Sequence, residues 1–419
     1  MMADMQNTPL TPGALNGVRI LDLSRVLAGP WAAQALGDLG AEGLKVEHPE
    51  RGDDTRHWGP PDMADSEGDL FSGYYLCANR NKQSLAIDFS KPEGAALVRR
   101  LAQKADIVIE NYKVGGLKKF GLDHESLRAE NPALICCSIT GFGQDGPYAP
   151  RGGYDFLIQG MGGLMSVTGP AAGTPGSEPT KVGVAVIDLF TGLYAVIAIL
   201  AALRHRDQTG EGQHIDCALL DTSVAILANQ GANWLIGGTK PKPMGNSHPN
   251  VVPYRNFPVA DGELIIAVGN DSQFRALCKV LGDEALASHP DYATNAARAT
   301  NREALETLIR GHLADRKRDD VILDMEAAGV PGGPINRVDQ VFDDPQVKAR
   351  KVLESHAMPD GTTVPMVRFP ARLSVTPATI RRTPPKLGED TLSVLRQELG
   401  LSDTETRTLV EAGVIVIKE

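Results

Sequence analysis

The sequence predicts an α/β fold: a Rossmann-like large domain with a parallel sheet, joined to a smaller α+β domain. Three observations carry this. Short β-rich runs alternate with helical patterns through the first half of the chain, as crossover helices between parallel strands require. After Asp221 the pattern breaks into the Gly-, Pro- and Asn-rich stretch "GGTKPKPMGNSHPNVVP", a long functional loop or interdomain link. At 419 residues, the chain is long enough for more than one hydrophobic core.

The elements follow in order. "GVRILDLS" reads as a strand, "PWAAQALGDLG" as a helix ending at Gly40, and "EGLKVEH" as a second strand. "SLAIDFS" is a third strand, and "PEGAALVRRLAQKA" a helix whose first turn accepts Pro92. "DIVIENY", a Gly-containing helix and "ALICCSIT" come next. The apolar run from Val182 to Leu203 reads as a strand leading into a buried core helix; it is long enough for a membrane span, but Asp188, Thr191 and Gly192 interrupt it. "YRNFPVADGELIIAVG" gives a hairpin with Asp261-Gly262 between its strands. Helices are expected from Ser272 to Ala328, then short strands, then a final helix "EDTLSVLRQELG". The expected division is a large domain over residues 14–222, a linker and small domain over 223–335, and a return to the large domain over 336–419.

A net charge of −10 argues against nucleic acid or an anionic membrane surface as the main partner. Five scattered cysteines read as buried thiols of a reducing compartment. No metal-ligand cluster appears among the Cys and His residues. The N-terminal "MMADMQNTPLTPGALNG" reads as a flexible lead-in without targeting features, so a cytoplasmic location is expected.

"GFGQDG" (Gly141 to Gly146) matches GxGxxG after a strand, yet Pro147, Tyr148 and Pro150 follow where a dinucleotide site needs a helix. No Walker A loop or GxSxG elbow occurs. Asp188 stands out, because a lone carboxylate in apolar surroundings must be bonded, paired or put to work. It fits an N-cap of the helix that follows. It also fits a carboxylate nucleophile at a helix N-terminus.

Several long motifs, in one order from about Gly17 to the C-terminus, resemble the family III (CaiB/BaiF) CoA-transferases. They include "GVRILDLSRVLAGPWAAQALGDLGAEGLKVEHPERGDDTR", "NRNKQSLAIDFSKPEG", "ADIVIENYKVGGLKKFGL", "RGGYDFLIQGMGGLMSVTG" and "GVAVIDLFTGLYAVIAILAALRHRDQTGEGQHIDCALLD". The resemblance implies that Asp188 is the nucleophile, forming an aspartyl–acyl anhydride and then an aspartyl–CoA thioester. It implies CoA as carrier with no ATP or metal, and an interlocked homodimer. CoA contacts carried over by likeness are Leu27, Ala28, Ile87, Asp88, Asn111, Tyr112, Lys113, Lys119, Thr140 and Gly141. Some relatives have Gln where Leu27 stands and Arg where His48 and Lys119 stand.

The motifs look most like the succinyl-CoA:glutarate branch, which implies a dicarboxyl-CoA donor and a dicarboxylate acceptor; itaconate-, oxalate- and carnitine-type transfer remain alternatives. The distal carboxylate wants a cation, with Arg80 or Arg151 first and Arg255 and His248 in reserve. Gly245 and Asn246 resemble the loop that covers the site in relatives, and Tyr154 borders it. The family also holds racemases, in which a histidine commonly stands where Tyr154 does. A tyrosine is a poor base near neutral pH, so transfer is the expectation and racemisation the alternative.

Overall fold

The computed structural model describes residues 12–417; most of the expected lead-in lies outside them. The chain divides into two compact units. The first runs to Leu164, resumes over Val182–Gly231 and again from Arg350.

Its centre is a six-stranded sheet of β1 (Arg19–Asp22), β2 (Glu42–Glu47), β5 (Lys82–Ala86), β6 (Ile107–Glu110), β7 (Ile135–Thr140) and β8 (His214–Ala218), while β3 (Asp62–Ala64) and β4 (Leu70–Ser72) form a separate hairpin. Every neighbouring pair in the large sheet is parallel, in the order β5-β2-β1-β6-β7-β8. That is the doubly wound order, whose direction reverses between β1 and β6. Side chains alternate strictly between two cores. Ile20, Ile107, Ile109, Ile135, Cys137 and Ile139 face one; Leu21, Val108 and Cys136 face the other. Burial on both faces explains why these strands read as continuous apolar runs.

The helices of this unit are α1 (Ala28–Asp38), α2 (Gly73–Ala78), α3 (Pro92–Ala102), α4 (His124–Glu130), α5 (Asp155–Met161), α6 (Val186–Thr209) and α7 (Leu219–Ala225). α6 packs on α1 at Gly192, where a Cβ would come within 2.7 Å of the Ala28 carbonyl oxygen. No strand precedes α6, contrary to the expectation: residues 182–185 are irregular. α6 is also the one helix among the described residues long and apolar enough to cross a membrane, with 50% of its most apolar stretch buried.

Near the C-terminus, Thr391–Leu399 forms the expected helix, but it is not the last. Asp403–Glu411 follows, opened by a capping box of Ser402 and Glu405. Only Thr406 of that helix is buried, so it carries no apolar stripe for periodicity to find. Its signal was the Ser-x-x-Glu spacing of the box. All five cysteines are free, and Cys77 is exposed rather than buried.

The second unit comprises Met165–Lys181 and Ala232–Ala349. An early segment therefore joins it, and the first unit resumes at Arg350 rather than at 336. Backbone bonds from Ala172 to Pro243 and from Gly245 to Gly169 tie that segment in. Its antiparallel sheet has the order β11-β10-β9, with β9 (Tyr254–Val259), β10 (Gly262–Ala267) and β11 (Gly332–Pro334). The hairpin turns at Ala260 and Asp261, with Gly262 already paired to Val259. Helices Asp271–Val280, Arg302–Leu313 and Arg318–Ala327 complete its core.

Candidate active site

In a doubly wound sheet, ligands bind beyond the strand carboxyl ends where the order reverses. A cavity of about 210 Å³ opens there in the first unit. Leu27 and Ala28 line it from the turn after β1, Asn111, Tyr112 and Lys113 from the loop after β6, and Thr140 and Gly141 from the end of β7. Arg151, Tyr154 and Asp188 complete the wall.

The turn after β1 is held in a demanding shape. Val26 has φ +70°, a conformation a β-branched residue rarely takes. Both Asp53 carboxylate oxygens accept the Val26 N–H at 3.2 Å. Lys45 donates to Asp53 and to the Ser24 carbonyl, each at 2.9 Å, and the Lys45 and Asp53 side chains are fully buried. Burial alone would raise the Asp53 pKa, but Lys45 and the Thr55 hydrogen bonds outweigh it and hold the carboxyl at about 2. A second buried pair, Lys82 with Asp22 at 2.9 Å, lies beside it, and Asp22 accepts the Ser24 N–H. Much of "KVEHPERGDDTR" and "NRNKQS" therefore supports the site from beneath. Asn111 ties the lips of the crevice together, accepting the Arg25 N–H at 2.9 Å and donating to the Arg25 carbonyl at 2.6 Å.

Two glycines bring the far wall close. A Cβ on Gly141 would stand 2.6 Å from the Gly153 Cα, so the loop after β7 lies directly against the segment that starts α5. That segment delivers Asp155. Its Oδ1 accepts the N–H groups of Ile187 at 2.7 Å and Asp188 at 3.3 Å. Asp155 thus caps α6 from outside, and Ala185 stands at the N-cap position with no side-chain bond. Asp188 is the third residue of the helix and not its N-cap, which corrects the capping expectation. With capping done by another residue, the partly exposed Asp188 carboxylate faces the cavity. Burial, and secondarily the charge of Asp155, push its pKa up to about 7. Such a carboxylate is more basic than an ordinary one, yet substantially ionised at neutral pH, as a nucleophile requires.

The remaining expected residues lie elsewhere. Ile87 and Asp88 line an adjoining cavity of about 200 Å³ with His48, Arg51 and Phe89. Lys119 is exposed and borders neither cavity, its Nζ resting 4.7 Å from the centre of the Phe120 ring. Arg80 is a correction: it is 6% exposed and donates to both Asp38 oxygens at 2.9 and 2.5 Å, so it is spent on structure. Sequence spacing hid that partner on α1. Gly245, Asn246 and His248 belong to the second unit. There Asn246 donates to Asn256 at 3.1 Å, and the His248 ring accepts the Asn250 and Val251 N–H groups. Arg255 is paired with Glu306 at 2.6 Å. Arg151 remains exposed, stacked over the Phe142 and Tyr148 rings at 5.0 and 4.6 Å. Sequence reasoning passed over Asp155, which ends the quoted "GGYD", and Arg25, which opens "RVLAGP".

Residues 15–391 match the family described as CoA-transferase family III. The chain is 51% identical over 403 residues to the succinate–glutarate CoA-transferase of Agrobacterium fabrum, covering 96% of this chain and 100% of the relative. It is 41% identical to the human succinyl-CoA:glutarate CoA-transferase, covering 96% of this chain and 90% of that one. The crystal structure of a CaiB/BaiF family protein from Brucella suis superimposes with a TM-score of 0.81 at 51% identity, covering 92% of this chain and 100% of that one.

Proposed function

Because this chain belongs to CoA-transferase family III, we propose that it moves CoA from succinyl-CoA to a dicarboxylate acceptor, glutarate first among them, with Asp188 as nucleophile. The observation that carries the reading is the Asp188 carboxylate itself: relieved of capping by Asp155, facing the crevice, and with its pKa near 7. The relatives named for succinate and glutarate support the substrate pair.

Each chemical step is a carbonyl substitution. An Asp188 oxygen attacks the thioester carbonyl; the C–S bond breaks, leaving a mixed anhydride and the CoA thiolate. The thiolate attacks the Asp188 carbonyl and expels the donor carboxylate, giving an aspartyl–CoA thioester. The acceptor carboxylate attacks in turn, forming a new anhydride and freeing the thiolate. Attack of that thiolate on the acceptor acyl carbon restores Asp188. One thioester forms for each consumed, so the reaction calls for neither ATP nor metal, and CoA serves as carrier. Leu27, Ala28, Asn111, Lys113, Thr140 and Gly141 contact the ligand near its thiol end, Tyr112 where the two cavities meet, and Ile87 and Asp88 farther along. Arg151 holds the distal carboxylate of the acid.

We further place the enzyme in the cytoplasm as an interlocked homodimer. Supporting the dimer, Phe190, Leu193, Tyr194 and Ile197 form an i, i+3, i+4, i+7 stripe on α6 that is 42%, 42%, 43% and 61% exposed.

The test is an acyl-CoA product profile by mass spectrometry, with succinyl-CoA and one acid at a time. Glutaryl-CoA should appear with matching loss of succinyl-CoA, and Asp188→Ala should form none. Wild-type transfer rates in that variant would sink the Asp188 assignment. Solvent deuterium entering the acyl chain without an acceptor acid would point to racemisation instead.

A further inference from the structure

The cavity at Asp188 and the one it adjoins beside Asp88, about 210 and 200 Å³, are each smaller than the ~300–1,000 Å³ that a drug-sized ligand fills. CoA is larger still, so a CoA whose thiol reaches Asp188 must extend beyond the first cavity, and the one beside Asp88 continues from it. Only Arg25 and Tyr112 line both linings, and Arg25 is the cation at that junction. Its guanidinium carbon sits 4.9 Å from the centre of the Tyr112 ring. Its Nε is shielded from solvent and has no hydrogen-bond partner. Its one ionic neighbour, Asp54, stands off at 3.6 Å with both side chains substantially exposed. The two Asn111 bonds meanwhile fix its backbone. This is a rigidly launched, under-used bidentate donor where the two cavities meet.

We propose that Arg25 binds the pyrophosphate of CoA where the ligand passes from one cavity to the other, making it a specificity residue for the nucleotide-bearing carrier. The inference rests on Asp188 being the thioester's partner, since that places the thiol end.

The experiment compares succinyl-CoA with succinyl-pantetheine, which carries no phosphate, in the full-length enzyme and in Arg25→Gln and Arg25→Lys. Arg25→Gln should raise KM for succinyl-CoA about ten- to a hundredfold, with kcat changed little and KM for succinyl-pantetheine unchanged. Arg25→Lys should recover part of the loss, since it keeps the charge without the fork. Calorimetric binding of free CoA should weaken in parallel. An equal loss with both substrates, or an unchanged KM and CoA affinity, overturns the proposal. The wild-type rate with succinyl-pantetheine, and its loss in Asp188→Asn, report on the nucleophile separately from Arg25.

Discussion

Asp188 and Asp155 divide two tasks that one aspartate at a helix start would ordinarily combine. Asp155 accepts the first-turn N–H groups, and its charge adds to burial in making the Asp188 carboxylate hard to ionise. Transfer should therefore rise with pH through about 7 on its acid limb, because only the ionised carboxylate attacks. Asp155→Asn keeps an acceptor oxygen and removes the charge, so that limb should move to lower pH in a kcat/KM profile. Stability should run the other way. The folded pKa of Asp188 lies above its unfolded value, so ionising it penalises the native state increasingly as pH rises from about 4 to about 7. Asp188→Asn should thus raise Tm at pH 8 by more than at pH 5. Allowing for solvent screening at this partly exposed group, the gain is on the order of 1–2 kcal/mol, read by thermal melts at the two pH values.

At the level of elements, the site depends on one close backbone approach and one buried clamp. Lys45→Met leaves Asp53 buried without its cation, which costs about 3–5 kcal/mol and releases the Val26 turn that carries Leu27 and Ala28. Denaturant unfolding measures the loss, and KM for succinyl-CoA should rise in whatever enzyme remains folded. Gly141→Ala drives a methyl into Gly153. It should lower kcat at least tenfold while changing Tm by only a few degrees, because the displaced segment leads to Asp155. β1, β6 and β7 were legible in sequence since each buries both faces, which yields apolar runs; β8, with only Ala218 buried, was not. The helix Asp403–Glu411 was not, since its side chains are almost all in solvent.

At the level of the whole molecule, α6 buries one side in the sheet's core and leaves Phe190, Leu193, Tyr194 and Ile197 outward. Ile197→Glu puts a charge in that stripe. It should shift the proposed dimer toward monomer in light scattering, and a monomeric profile in the unmodified chain would overturn the dimer. The division into units also lay beyond pattern reading at its edges, because Met165–Lys181 is joined to the second unit by backbone bonds across the chain.

Sequence by itself determined what local chemistry and period carry. The alternating strands and helices, the hairpin near Asp261, the family and the singular carboxylate Asp188 were all readable there. Tertiary structure alone decided which charges are spent and which are free. Arg80 is consumed by Asp38 and Arg255 by Glu306, while Asp188 is freed because Asp155 does its capping. The physical reason is that a side chain's charge state and availability depend on partners and burial in three dimensions. Those partners lie tens of residues away, on helices that only tertiary packing brings to them.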